Sequence, residues 1–93
     1  MNKKLTVRRD DGKVRFCILA GDVDLQAQLN EWYFGAAQPS GGYKALLENG
    51  TLRIIDSIAY ETVTAFEVLA IDDTTEAPTP HWVDPDTLQT GWN

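Results

Sequence analysis

Cysteine is almost absent from this chain. Cys17 stands alone among 93 residues, so no disulfide can form within it. A small secreted domain would usually carry several cysteines to offset a thin core. Met1-Asn2-Lys3-Lys4 has the basic start of a signal peptide, but Leu5-Thr6-Val7-Arg8-Arg9-Asp10 supplies no apolar run after it. No stretch approaches the roughly 20 consecutive apolar residues of a membrane span. Asn49-Gly50-Thr51 matches a glycosylation sequon, which without export reads as a turn. These absences lead us to expect a cytoplasmic protein, in a bacterial or host cell, with no membrane partner.

Catalytic signatures are missing too. Gly35, Gly41 and Gly42 lack the spacing and the lysine of a phosphate-binding loop. His81 is the only histidine, and no Ser or Cys nucleophile motif lies near it in sequence. Cys17 falls in the middle of a β-prone run, where a buried, inert thiol is expected. His81, Asp84 and Asp86 form a thin set of metal ligands in a proline-bearing tail, better read as solvated. No catalytic residue, cofactor or metal site is expected, and the chain reads as a non-enzyme.

Basic residues are scarce beyond position 15. Lys3, Lys4, Arg8, Arg9, Lys13 and Arg15 precede it against Asp10 and Asp11, a net +4. From Phe16 onward only Lys44 and Arg53 oppose twelve acids, a net −10 within an overall −6. One source of such a split is a basic edge hairpin guarded by its own charges. The acidic remainder opposes approach to nucleic acid, so direct binding of DNA or RNA is not expected.

Hydrophobic residues make up 43% and charged residues 24%, an ordinary globular balance that should fold. Leu5-Thr6-Val7 and Val14 to Leu19 flank Asp-Gly, a hairpin signal. Alternation puts Val14, Phe16 and Ile18 on one face, read as the core side, and Arg15 and Cys17 on the other. Leu25, Leu29, Trp32 and Tyr33 make an apolar stripe, predicting a helix from about Val23 to Phe34 with Asp22 or Asp24 as its cap. Gln26, Gln28, Asn30 and Glu31 take the wet side, Gly35 stops the helix, and Ala36 to Gly42 reads as a loop. Trp32, Tyr33 and Phe34 are too wide a run for one stripe. Residues 43–56 read as a second hairpin around Asn49-Gly50, with Lys44 to Glu48 as a rival helical turn. Thr62 to Ile71 predicts a central strand, and Asp72 to Pro80 a polar exit.

The expected fold is therefore α+β, a small antiparallel sheet in the order β-β-α-β-β-β with one helix on a face and an extended C-terminal tail. Residues 1–76 form the domain and 77–93 the proline-containing tail, which Trp82 above all, and Trp92, can pin back onto the sheet. Leu25, Leu29, Phe16, Ile18, Phe66 and Val68 are the expected core.

For function, the charge pattern points to a protein-binding module that takes a basic, nucleic-acid-handling partner through an acidic surface. Acidic nuclease-immunity proteins and phage anti-defence proteins work on this principle as classes. The candidate contacts are Asp72, Asp73 and Glu76, the densest acidic cluster, then Asp22, Asp24 and Glu31 by the helix, and Trp92 as an aromatic anchor. The protein is expected to be a monomer or small homo-oligomer. The alternative is a structural subunit of a virion or other multiprotein assembly, stacking basic hairpin against acidic neighbour.

Overall fold

The computed structural model describes residues 1–34, 43–56 and 58–92, and of 30–34 and 43 the backbone alone. The described residues are mostly sheet, in five antiparallel strands, with one short helix among them. In chain order these are β1 (Asn2–Arg9), β2 (Val14–Leu19), α1 (Leu25–Phe34), β3 (Tyr43–Glu48), β4 (Thr51–Asp56) and β5 (Thr62–Thr74). The rival helical turn at Lys44 to Glu48 is ruled out, since that segment is β3. The side chains of Glu31, Trp32, Tyr33 and Phe34, and the expected loop at 36–42 with Gly35 before it, lie outside the described residues.

Turn chemistry explains where the strands reverse. Gly12 has φ 85° in the β1–β2 turn, where its N–H donates to the Arg9 carbonyl at 2.9 Å. Asn49 and Gly50 both have positive φ, 51° and 76°, the two left-handed positions that a type I′ hairpin requires. In space the strands run β2-β1-β5-β4-β3. The last strand is thus the middle one, and it joins the two hairpins into a single sheet. At 13 residues it runs to Thr74, three beyond the expected end at Ile71. Asp72 and Asp73 belong to this strand and not to a polar exit, because β1 pairs alongside them: Lys4 with Asp72, Lys3 with Asp73, Asn2 with Thr74.

The core lies on the other side of β2 from the one the alternation suggested. Leu5 pairs with Cys17 and Val7 with Arg15, and directly opposed residues share a face. Leu5 and Val7, both buried, carry Cys17 and Leu19 into the core with them. Val14 and Phe16 sit half-buried on the reverse face, where the Lys4 ammonium lies 4.5 Å from the Phe16 ring centroid. Ile18 is buried as well, on the stretch of β2 gripped by Thr79, whose N–H donates to the Ile18 carbonyl at 2.9 Å. Leu29, Ala45, Leu52, Ile54, Phe66 and Trp82 complete the core, with Leu25 and Val68 partly buried against it.

The helix starts at Leu25, two residues later than expected, because Asp24 is its cap: Oδ1 accepts from Gln26 N at 2.9 Å. Gln26 and Gln28 are not on a wet side. Gln28 accepts from Ala20 N and donates to Ala20 O, both at 2.8 Å, and Gln26 Oε1 accepts from Leu47 N at 3.2 Å. One side-chain amide ties the helix to the end of β2 and the other ties it to β3.

Residues beyond β5 return along β2. Phe16 and Val83 exchange both backbone hydrogen bonds, at 3.0 and 2.7 Å, which sends the neighbouring Trp82 to the core side, where it is fully buried. Arg15 is 5% exposed, on the core face. Its Nε donates to the Gly91 carbonyl at 3.0 Å, Nη2 lies 3.6 Å from the Asp84 carboxylate, and its guanidinium sits over the Trp92 ring. An arginine is accommodated on that face because this segment surrounds it.

Leu29→Ala should cost about 2–5 kcal/mol and Trp82→Ala about 3–5 kcal/mol in urea unfolding, as for other buried large-to-small changes. A loss of only a few tenths at Trp82 would mean that the domain does not depend on its C-terminal segment.

Candidate functional site

Much of the acidic excess is local architecture. Asp24 caps α1. Asp56 accepts from Ile58 N at 2.8 Å and Ala59 N at 3.2 Å, closing the β4–β5 turn. Asp84 does the same for Asp86 N at 2.9 Å, and Asp11 for Lys13 N at 3.1 Å. Short carboxylates answer exposed N–H groups at such places. Another part is paired across the sheet. Lys3 bonds Asp73, and Arg8 Nη2 donates to Glu67 at 2.6 Å. The basic start of the chain and the acidic β5 are cross-strand neighbours, and the split in charge along the sequence is partly their pairing. The signal that could have found this was the split itself, read as two complementary strands.

The pairing leaves a distinct group at one end of the sheet. Asn2 Nδ2 donates to the Glu76 carbonyl at 2.8 Å, and Asn2 Oδ1 accepts from Gly21 N at 3.3 Å. One side chain therefore bridges the start of the helix segment to the exit from β5. Gly21 permits this contact, since a Cβ there would lie 1.6 Å from the Met1 carbonyl oxygen. Asp22 and Asp24 thus stand at the same end as Asp72, Asp73 and Glu76, all of them exposed. Asp72 makes no ion pair among the described residues. The Glu76 carboxylate accepts from the Thr74 hydroxyl at 3.3 Å. Lys3 and Lys4 reach the same end from β1, so it is charged and mixed, with acids in excess. The side chain of Glu31 is not described.

Trp92 is elsewhere. Its ring stacks on Phe66, 5.0 Å between centroids and 17° between planes, and Arg9 lies 4.8 Å from its centroid. Phe66 faces Arg9 at the far end of β1, about 20 Å from Lys3 at some 3.3 Å per residue. The anchor and the acids proposed from the sequence therefore do not share a surface.

Hollows open on the surface among the described residues. A shallow one of about 430 Å³ is lined by Arg8, Arg9, Asp10, Phe66 and Glu67 among others, and its arginines are held by Glu67 and Asp11. The second, about 300 Å³, is lined by Leu47, Glu48, Asn49, Gly50, Val68 and Ile71. Sequence reasoning missed it, since its walls come from two strands distant in the chain. Cys17 is buried, which pushes its thiol up to about 12. Among the described residues no group of three or more His, Cys, Asp or Glu could hold a metal ion. No helix among them is long and apolar enough to cross a membrane.

No family model matches the chain, and comparison with curated proteins and with solved structures gives no match.

Two titrations follow from this geometry. The Arg9 guanidinium holds the Asp11 carboxyl down at about 2, Lys3 lowers Asp73, and the Asp86 N–H lowers Asp84. Carboxyls that bind protons less tightly in the folded state stabilise it above their ordinary value of 3.8, and that stabilisation is lost as pH falls. Thermal melts should therefore drop between about pH 4 and pH 2, and Arg9→Ala should return Asp11 towards 3.8 in carboxyl NMR. An unmoved Asp11 would show that Arg9 is not the cause. Cys17 should resist thiol reagents at about pH 8 until the protein unfolds, since only the thiolate reacts. Labelling at the rate of a free thiol in native protein would contradict the buried placement.

Proposed function

We propose that this protein is a non-enzymatic binding module whose acidic end, Asp22, Asp24, Asp72, Asp73 and Glu76, docks on a basic protein partner. The observation that carries this is the Asn2 bridge, which gathers two acidic segments some fifty residues apart in sequence onto one end of the sheet. Concentrated charge speeds encounter with an oppositely charged surface and disfavours wrong partners. A basic surface that handles nucleic acid is the natural complement, with carboxylates standing where phosphates would bind. In that form the protein acts as an inhibitor, of the nuclease-immunity or phage anti-defence kind.

A second reading has its own support. Lys13 lies at the opposite end, where its ammonium donates to the Trp92 carbonyl at 3.4 Å and makes no ion pair among the described residues, a basic contact that suits head-to-tail stacking in a larger assembly. Sedimentation at rising concentration separates the two: stacking requires self-association that Lys13→Glu removes, whereas the inhibitor stays small.

The test of the first reading is association kinetics with a partner isolated from the native host and purified. Asp22→Lys, Asp72→Lys and Glu76→Lys should slow association more than they speed dissociation, with Asp24 left intact because it caps the helix. Raising salt from 0.1 M to 1 M shortens the Debye length from about 10 Å to about 3 Å and should weaken binding in parallel. Binding indifferent to both salt and reversal would overturn this reading.

A further inference from the structure

β5 is longer than the strand beside it. β4 pairs with β5 from Thr62 to Glu67, and the Val68 N–H to Gly50 carbonyl bond, 2.8 Å, is the last link between them. β1 continues along the other side of β5 as far as Thr74. Among the described residues no backbone group pairs with Leu69–Thr74 on the β4 side. The pairing with β1 skips Leu69, a β-bulge. From Ala70 on, alternate N–H and C=O groups of the overhang have no partner on the β4 side among the described residues, as on an edge strand, although β5 is the central strand of the sheet. At the start of the overhang lies the apolar groove walled by Leu47, Val68 and Ile71 and the Asn49-Gly50 turn, with Ile71 46% exposed.

We infer that the Leu69–Thr74 overhang is a strand-addition site for an extended basic segment of a partner protein, which extends the line of β4 and sets one aliphatic side chain into the groove. This rests on the reading of the acidic end as a docking surface and names the form its partner takes. Three observations select that occupant. The open backbone groups supply main-chain hydrogen bonds to any extended chain. The groove, walled by apolar side chains with Glu48 at its rim, takes an apolar side chain. Asp72, exposed on the same six residues and without an ion pair among the described residues, selects positive charge, with Asp73 beside it already held by Lys3. A second copy of β5 would bring its own Asp72 and Asp73 to the same edge, and like charges facing each other across strands oppose pairing. The acids that keep the edge from pairing with itself thus admit a basic strand.

The experiment uses the full ¹⁵N-labelled chain and three blocked octapeptides as probes. One alternates lysine with valine, one has the same sequence with alternate backbone nitrogens methylated, and one alternates lysine with serine. The first should shift the amides of Leu69–Thr74 and of the Asn49-Gly50 turn and slow their hydrogen exchange. Methylation, which removes main-chain donors, should weaken binding about tenfold or more, and serine for valine should weaken it as well. Equal binding of the methylated peptide would reduce the contact to charge alone: the acidic end would stand as a docking surface and strand addition would fall. Silence of Leu69–Thr74 at millimolar lysine–valine peptide would also overturn the inference. Failure of the underlying reading shows separately, as partner binding that survives charge reversal at Asp22, Asp72 and Glu76.

Discussion

The pairing of β1 with β5 is the contact on which the rest of the structure depends. Each hairpin is local and cheap to close, but a two-stranded hairpin by itself is marginal in water. β1 and β5 meet across some sixty residues of chain, and only their pairing makes one sheet with one core. Fixing such a contact costs loop-closure entropy before it returns any burial, so this step should limit the rate of folding. Leu5 and Val7 bury against the joined sheet and supply the stabilisation. Exposed pairs such as Lys3 with Asp73 and Arg8 with Glu67 add little each. Their use is in register: a one-residue slip would turn Leu5 and Val7 to solvent and set the opposed charges out of line.

Once that sheet exists, its edges need cover. Residues 79–83 run along β2, exchanging bonds with Phe16 and Ile18, and plant Trp82 in the core. At the opposite edge Gln26 of the helix satisfies the Leu47 N–H of β3. Both covers come from segments that also fill the core, so edge protection and burial are achieved by the same residues. The overhang of β5 is the exception. There no backbone partner is present among the described residues, charge and the bulge at Leu69 guard the edge, and this is the stretch where the proposed partner adds.

Nine of the fourteen acids separate into two groups by what they touch. Asp11, Asp24, Asp56 and Asp84 serve turns and a cap, and Asp73 and Glu67 answer β1. Asp22, Asp72 and the Glu76 carboxylate contribute far less to the fold, and they are gathered at one end. That division is what turns a diffuse negative composition into a place on the molecule. It also separates substitutions that would unfold the protein from those that would change only its encounters.

Local chemistry in the sequence determined the elements whose causes are local. Asp-Gly and Asn-Gly marked both hairpin turns because few other residues accept positive φ. Asp24 before Leu25 and Leu29 marked the helix, and the β-branched run from Thr62 marked the strand that proved central. The burial of Cys17 was expected from its place in a strand. Only tertiary structure decided which face of β2 is buried, since Val14-Phe16-Ile18 is the more apolar face by composition and the choice belongs instead to β1, through Leu5 and Val7. It decided as well that Arg15 could lie on the core face, because Gly91, Asp84 and Trp92 arrive from the far end of the chain to receive it. The candidate site divides in the same way. Asp72, Asp73 and Glu76 were visible as a dense cluster, yet their union with Asp22 and Asp24 hangs on Asn2, and Trp92 proved to be stacked on Phe66 at the other end. Period and composition report what a residue prefers among its neighbours in sequence, whereas a shared surface depends on strand pairing between residues sixty positions apart.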